Sequence, residues 1–115
     1  MSLSVYLTMQ VDTGGPEPRT FELFDGYVTN NLKDMAKAAN IYLHIWRPAE
    51  KNVTTAADLI EPFTRGLHQL KSQPKYFKEF NPPNGWGTYE GFVKFVEDYL
   101  TSCRENPKAL VSANG

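Results

Sequence analysis

Apolar and polar residues alternate strictly along the first stretch of the chain, residues 3–12. Its apolar positions are Leu3, Val5, Leu7, Met9 and Val11. A period of two predicts a half-buried β-strand. Turn-forming residues fill positions 13–18, and alternation resumes over residues 19–24 with Phe21 and Leu23 as the apolar positions. We therefore expect an antiparallel hairpin with a longer loop, whose second strand ends at Asp25-Gly26.

Helical spacing replaces this alternation after the hairpin. Residues 29–31 offer N-cap side chains, and the spacing predicts a short amphipathic helix that ends at Ala39, with Asn40 as a left-handed C-cap. The apolar segment 41–47 is too short for its period to distinguish a helix from a strand. Because it follows a helix after one residue and does not alternate strictly, we expect one or two helical turns, with Trp46 as a core anchor.

A longer helix is predicted over residues 55–72, with Thr55 as its N-cap. Its apolar stripe consists of Ala56, Leu59, Ile60, Phe63, Leu67 and Leu70. Pro62 lies inside this pattern, so we expect either a kink near Asp58 to Pro62 or a fresh start at Glu61. Gly66 is unfavourable in a helix and predicts the close approach of another element.

The last helix has the clearest pattern. Thr88 is placed to cap it, after a short turn predicted over residues 74–80. Its apolar face consists of Tyr89, Phe92, Val93, Val96, Tyr99, Leu100 and Cys103. Residues 109–113 then alternate weakly, which suits a short third strand beside the hairpin. Together the patterns predict one α+β domain over residues 1–115: an N-terminal β-hairpin, which a short C-terminal strand would extend, packed against about four to five helices.

Charge and composition narrow the classes of partner. The formal net charge is −1, from 12 basic and 13 acidic residues without a run of like charges. This balance favours neither nucleic acid nor an anionic membrane as a partner. The single cysteine cannot form an internal disulfide, and the sequence has neither a signal-peptide pattern nor a membrane-spanning apolar run. We expect a soluble, cytoplasmic protein.

Side chains that could carry chemistry are few. The two histidines, His44 and His68, do not stand at a recognised metal-binding spacing with any carboxylate. Cys103 falls on an apolar helix face, where a thiol is usually a small buried hydrophobe. The adjacent carboxylates Glu97 and Asp98 point about 100° apart on a helix and do not form an acid/base pair. The sequence therefore predicts no catalytic residue, no metal and no cofactor, and an enzyme is the less favoured interpretation.

Residues 81–90, Asn-Pro-Pro-Asn-Gly-Trp-Gly-Thr-Tyr-Glu, form the most distinctive corner of the chain. Trp86 stands between two glycines, so its position must be fixed either by the core or by a partner. Docking into the core is favoured by roughly two to one, because a turn between helices is often held by one buried aromatic residue. A partner would instead bind a face that includes Trp46, Arg47, Asn84, Trp86 and Tyr89.

Three motifs carry a family resemblance, namely Thr29-Asn30-Asn31-Leu32, Trp46-Arg47-Pro48-Ala49-Glu50 and the corner at residues 81–90. With them, the sequence resembles, over nearly its whole length, a family of small uncharacterised proteins found in bacteria and in their phages and prophages. The resemblance implies a context of mobile genetic elements and no particular reaction.

Two hypotheses of function follow. The leading one is a non-enzymatic protein-interaction or accessory protein of the phage or prophage type, whose partner is a protein, either a second copy or another chain. The alternative is a small ligand-binding domain or enzyme with a polar pocket near Asn31, His44, Arg47 and Asn84.

Overall fold

The computed structural model describes residues 2–115, which form a three-stranded antiparallel sheet and five α-helices, an α+β fold as predicted. The strands are β1 (Ser2–Val11), β2 (Arg19–Thr29) and β3 (Leu110–Asn114). The helices are α1 (Lys33–Ala38), α2 (Tyr42–Trp46), α3 (Ala57–Ser72), α4 (Pro74–Lys78) and α5 (Tyr89–Glu105). Two 3-10 turns, Asn30–Leu32 and Pro48–Lys51, connect them.

The sheet has the order β2-β1-β3, with β1 antiparallel to both neighbours. The predicted inward side chains of its first half, Leu3, Val5 and Leu7, are buried. The predicted third strand is confirmed, and it pairs with β1 only as far as Thr8. The central strand thus has a partner on both sides near its start and a partner on one side near its end.

The second strand differs from the prediction in length and in facing. β2 continues through Asp25 and Gly26 to Thr29. The pairing with β1 shifts by one residue between Phe24, which lies opposite Leu7, and Glu22, which lies opposite Thr8. This extra residue is a β-bulge at Leu23, and a bulge moves the following side chains to the other face. Phe24 therefore packs on the core, whereas Leu23, predicted to share the face of Phe21, is exposed.

The far half of the hairpin projects from the body as an arm. Every residue from 9 to 23 is exposed, and we call this segment the hairpin arm. The molecule is accordingly elongated, with a longest dimension of 53 Å and a radius of gyration of 14.9 Å. A compact chain of this length would have a radius of gyration of about 13 Å.

The helices bury one continuous core against the sheet. The apolar stripe of α5 packs on α3, and its buried side chains are Tyr89, Phe92, Phe95, Val96, Tyr99, Leu100 and Cys103. The stripe of α3 is buried as predicted at Ala56, Leu59, Phe63 and Leu70. The close approach predicted at Gly66 is confirmed, since a Cβ there would lie 2.7 Å from Cγ2 of Ile41.

Helix boundaries agree with the predicted signals in part. The backbone N–H of Gly91 donates to Oγ1 of Thr88 at 3.0 Å, which confirms the N-cap of α5. Asn40 has the left-handed conformation expected of a C-cap, with φ of 65°. The helical assignment of residues 42–46 is also confirmed. The helix expected to end at Ala39 consists instead of the 3-10 turn and α1.

The predicted start of α3 is wrong. The helix begins at Ala57, and Thr55 forms a β-bridge with Leu110 instead of capping it. The Asp58 carboxylate accepts hydrogen bonds from the backbone N–H groups of Thr54 and Thr55, at 2.9 and 3.2 Å, and these bonds lower the pKa of Asp58. The fresh start at Glu61, one of the two predicted alternatives, does not occur, because α3 runs through Pro62 to Ser72.

Candidate functional site

Two of the five predicted binding residues lie in the core. Trp46 is buried, as its prediction as a core anchor required, and its Nε1 donates to Oδ1 of Asn30 at 3.0 Å. Tyr89 is also buried, and its hydroxyl donates to the carbonyl oxygen of Leu70 at 2.6 Å. Both side chains use their polar atoms within the fold, so they stabilise the scaffold and leave little surface for a partner.

Trp86 has the opposite environment. Its side chain is 72% exposed, so the prediction that it docks into the core is wrong. The backbone around it is nevertheless held: Nδ2 of Asn31 donates to the Trp86 carbonyl oxygen at 3.3 Å. The Trp86 N–H donates to Oδ1 of Asn84 at 2.9 Å. These bonds fix the turn while the indole ring points away from the core.

The backbone of Gly87 fixes the corner in place of a buried aromatic side chain. Its φ is +110°, and a Cβ at this position would lie 2.7 Å from Cγ2 of Thr29 and 3.1 Å from Cγ of Leu32. The corner therefore packs its backbone against the end of β2. A further bond, from the N–H of Tyr89 to Oδ1 of Asn81 at 2.7 Å, ties the start of the corner to the start of α5.

Arg47 lies apart from this corner. Its side chain is exposed, and Nη1 donates to Oε2 of Glu50 at 3.2 Å, a bond that raises the pKa of Arg47. It borders a hollow of about 400 Å³ beside Val111 and Ala113 of β3. Its charge is already paired within its own turn.

The four residues of the predicted polar pocket do not converge. Asn31 and Asn84 line one hollow of about 540 Å³, which also includes Asp34 and Glu79. His44 lines a different cleft beside α3, and Arg47 lines neither of them. The structure thus supports a shared role only for the two asparagines.

The described residues favour neither a metal site nor a reactive thiol. Within residues 2–115, no three His, Cys, Asp or Glu side chains lie close enough to hold a metal ion. Cys103 is buried, and burial raises the pKa of its thiol to about 12. The thiol is therefore protonated at neutral pH and is a poor nucleophile.

An apolar surface on the hairpin arm was not recognised from the sequence. Met9 lies directly opposite Phe21, and Val11 lies two residues further along the same face of β1. Their side chains are 40, 42 and 37% exposed in that order, and we call them the arm trio. The sequence did carry one signal, since the predicted third strand is far shorter than the hairpin beside which it lies.

Within residues 2–115, no helix combines the length and the apolar character needed to cross a lipid bilayer.

The arm trio, the Trp86 corner and the polar clefts beside the helices are thus among the surfaces that the structure leaves open. No protein family, curated protein or solved structure matches the chain.

Proposed function

We propose that this is a non-enzymatic protein-interaction protein, an accessory protein of the phage or prophage type, whose protein partner binds the hairpin arm. The observation that carries the proposal is the arm trio, three large apolar side chains that lie together on one exposed face. Contiguous exposed apolar patches are typical of interaction sites, whereas single exposed apolar residues are not.

The arm trio continues the inward face of the sheet beyond the body. Leu3, Val5 and Leu7 are buried on this face, and Met9 follows at the same spacing without a covering helix. Complete burial of a large apolar side chain contributes about 1.5–3 kcal/mol. A partner that covered the trio would therefore gain a substantial part of its binding free energy from this face alone.

Free backbone groups favour an extended partner segment. Among residues 2–115, the outer edge of β2 has no neighbouring strand in the sheet, and β3 stops opposite Thr8, so β1 has a free edge along the arm. Unpaired strand edges can accept an added strand, with main-chain hydrogen bonds giving affinity and alternate side chains giving specificity. The partner segment would pair with one of these edges while an apolar side chain covered Phe21.

The Trp86 corner is a second surface for the same partner or for another one. It packs on Thr29, at the end of β2 opposite the arm. Tryptophan is enriched among residues that dominate binding free energy, and the fixed backbone around Trp86 lowers the entropy lost on binding. We propose that this second surface uses Asn84 and Trp86 of the binding face predicted from the sequence.

The test compares two faces of the arm. A photo-crosslinking amino acid is placed at Phe21 or, as the matched control, at Thr20, which points to the opposite face. We expect a discrete protein adduct from position 21 in source cells and a much weaker one from position 20. The triple variant M9T/V11T/F21T should lose binding of the purified adduct protein, whereas Q10A/T20A/E22A should retain it.

Analytical ultracentrifugation distinguishes a second copy from another protein as the partner. Self-association lost in M9T/V11T/F21T and kept in Q10A/T20A/E22A identifies a second copy. A monomer that also gives equal adducts from positions 20 and 21 would overturn the proposal.

A further inference from the structure

A cleft between the first two helices and α3 collects positive charge. It has a volume of about 530 Å³. Its nitrogen-bearing side chains are Lys37, Asn40, His44, Lys51 and Arg65. Among the described residues, no aspartate or glutamate lines this cleft. In a protein whose net charge is only −1, such a cluster is a local departure from the overall balance.

Four separate elements supply these groups. Lys37 belongs to α1, His44 to α2, Lys51 to the second 3-10 turn and Arg65 to α3. The contact between Gly66 and Ile41 draws α3 against the first two helices, which places Arg65 beside the cleft. The cluster is therefore a product of the tertiary fold and not of a run of basic residues in the sequence.

The cations of the cleft are only weakly neutralised. Within residues 2–115, neither Lys37 nor Lys51 has a carboxylate oxygen within 4.0 Å. Arg65 has one at 4.0 Å, from Glu61, and both side chains are highly exposed. An ion pair between two exposed side chains has a small interaction free energy, so Glu61 neutralises Arg65 only weakly. Asp58, in an adjoining hollow that Lys51 and Arg65 also line, accepts two backbone hydrogen bonds and is already engaged.

The pKa of His44 reflects the positive charge of this cluster. Burial lowers its pKa, and the charges of Lys51 and Arg65 lower the pKa further. Its Nδ1 is buried and has no hydrogen-bond partner among the described residues. The ring is therefore neutral at neutral pH, beside cations whose charge is only weakly offset by Glu61.

We propose that this cleft binds the phosphoryl group of a small phosphorylated molecule. Lysine and arginine side chains are the usual phosphate ligands in proteins, and the arginine fork can donate two parallel hydrogen bonds to phosphate oxygens. Small-molecule sites have volumes of about 300–1,000 Å³, so the cleft has room for an organic part beyond the phosphoryl group. The same chemistry would accept free phosphate, and the probes below distinguish the two.

The first experiment follows binding by NMR at an ionic strength held constant with chloride. Inorganic phosphate, glucose 6-phosphate and, as the uncharged control, glucose are titrated into isotope-labelled protein. The variant His68→Gln leaves His44 as the only histidine signal, since the chain has two histidines and His68 lies outside the cleft. Binding should raise the pKa of His44, because the anion offsets the charges that depress it.

The probes separate the two sources of the phosphoryl group. Tighter binding of glucose 6-phosphate identifies a phosphorylated small molecule, and equal binding identifies free phosphate; both support the shared chemistry. If neither probe gives saturable shifts around the cleft, or if glucose gives the same shifts, the proposal is overturned.

Matched variants test the residues. K51Q/R65Q should weaken binding by about tenfold or more, because hydrogen bonds to charged groups are among the stronger ones. The control R19Q/K75Q removes the same charge from exposed positions outside the cleft and should leave affinity nearly unchanged. E61Q should tighten binding, because it removes the carboxylate that lies 4.0 Å from Arg65. Equal losses in the two double variants would indicate general charge attraction and would contradict a site.

Discussion

The hydroxyl of Tyr99 is unfavourable in the core, although the ring that carries it is well packed. Its ring stacks on Phe24, with centroids 5.2 Å apart, and contacts Phe63 and Phe95 at 4.9 and 5.8 Å. The hydroxyl is buried and has no hydrogen-bond partner among the described residues. Burial raises the pKa of Tyr99, so the group stays neutral, but its unmade hydrogen bond still costs free energy.

Replacing Tyr99 with phenylalanine should therefore stabilise the protein. The substitution keeps the ring contacts and removes the unpaired hydroxyl, so we expect the free energy of unfolding to rise by about 1–2 kcal/mol. Urea denaturation measures the change. Tyr89→Phe is the matched control, since the Tyr89 hydroxyl donates to Leu70, and its loss should destabilise by about 1 kcal/mol. A destabilisation of Tyr99→Phe as large as that of Tyr89→Phe would show that the Tyr99 hydroxyl does have a partner.

The two tryptophans show which residue environments the sequence could predict. Trp46 lies in a continuous apolar segment, so burial followed from its neighbours in the chain. Trp86 lies in a turn of glycines, prolines and asparagines, and its burial depended on whether a distant element offered a place for it. The fold brings Thr29 and Leu32 to Gly87 instead, and this contact has no signature in the sequence near Trp86.

At the scale of elements, periodicity predicted most helices and strands, and tertiary contacts decided the exceptions. The pattern predicts Thr55 at the start of α3, because threonine is a good N-cap. In the fold the N–H of Val111 donates to the carbonyl oxygen of Thr54 at 3.2 Å, so this segment pairs with β3 instead of starting the helix. The bulge in β2 has a similar origin, since nothing in alternating residues announces where one strand gains an extra residue.

The corner at residues 81–90 offers a test of what fixes an irregular element. Gly87→Ala places a Cβ 2.7 Å from Thr29 and also strains the backbone at a φ of +110°. Gly85→Ala is the matched control, because its φ is +77° but, apart from its chain neighbours, no described residue has an atom within 4 Å of the added Cβ. Left-handed backbone costs a non-glycine residue about 1–2 kcal/mol. We expect Gly85→Ala to lower the free energy of unfolding by this amount, and Gly87→Ala to lower it by about 3 kcal/mol or more.

Thermal and urea denaturation of the two variants measure the difference, and Trp86 fluorescence reports the corner itself. Equal losses for the two alanine variants would contradict the view that the backbone of Gly87 pins the corner.

At the scale of the whole molecule, the order of the elements predicted the α+β fold and the third strand, but not the shape. How far a hairpin extends beyond its body depends on where the helices end and on how far β3 reaches along β1. Here β3 stops opposite Thr8, and the last residues of β1 are exposed on the face that is buried nearer its start. The extent of the arm therefore depends on distances between elements, which the alternation of residues within one strand does not encode.

The elongated shape leads to a prediction about independence of the arm. Because residues 9–23 are all exposed, they add little to the core, and removing most of them should leave the body folded. Replacing residues 9–21 with Asn-Gly retains the Thr8 and Glu22 pair and closes it with a two-residue turn of a type that suits hairpins. We expect the melting temperature to change by only a few degrees, and small-angle scattering should show the radius of gyration falling from 14.9 Å towards about 13 Å.

A variant that shortens only the loop at residues 13–18 should give an intermediate radius of gyration. Loss of cooperative unfolding in the Asn-Gly variant would show instead that the arm is part of the folding unit, whereas an unchanged radius would show that it lies against the body.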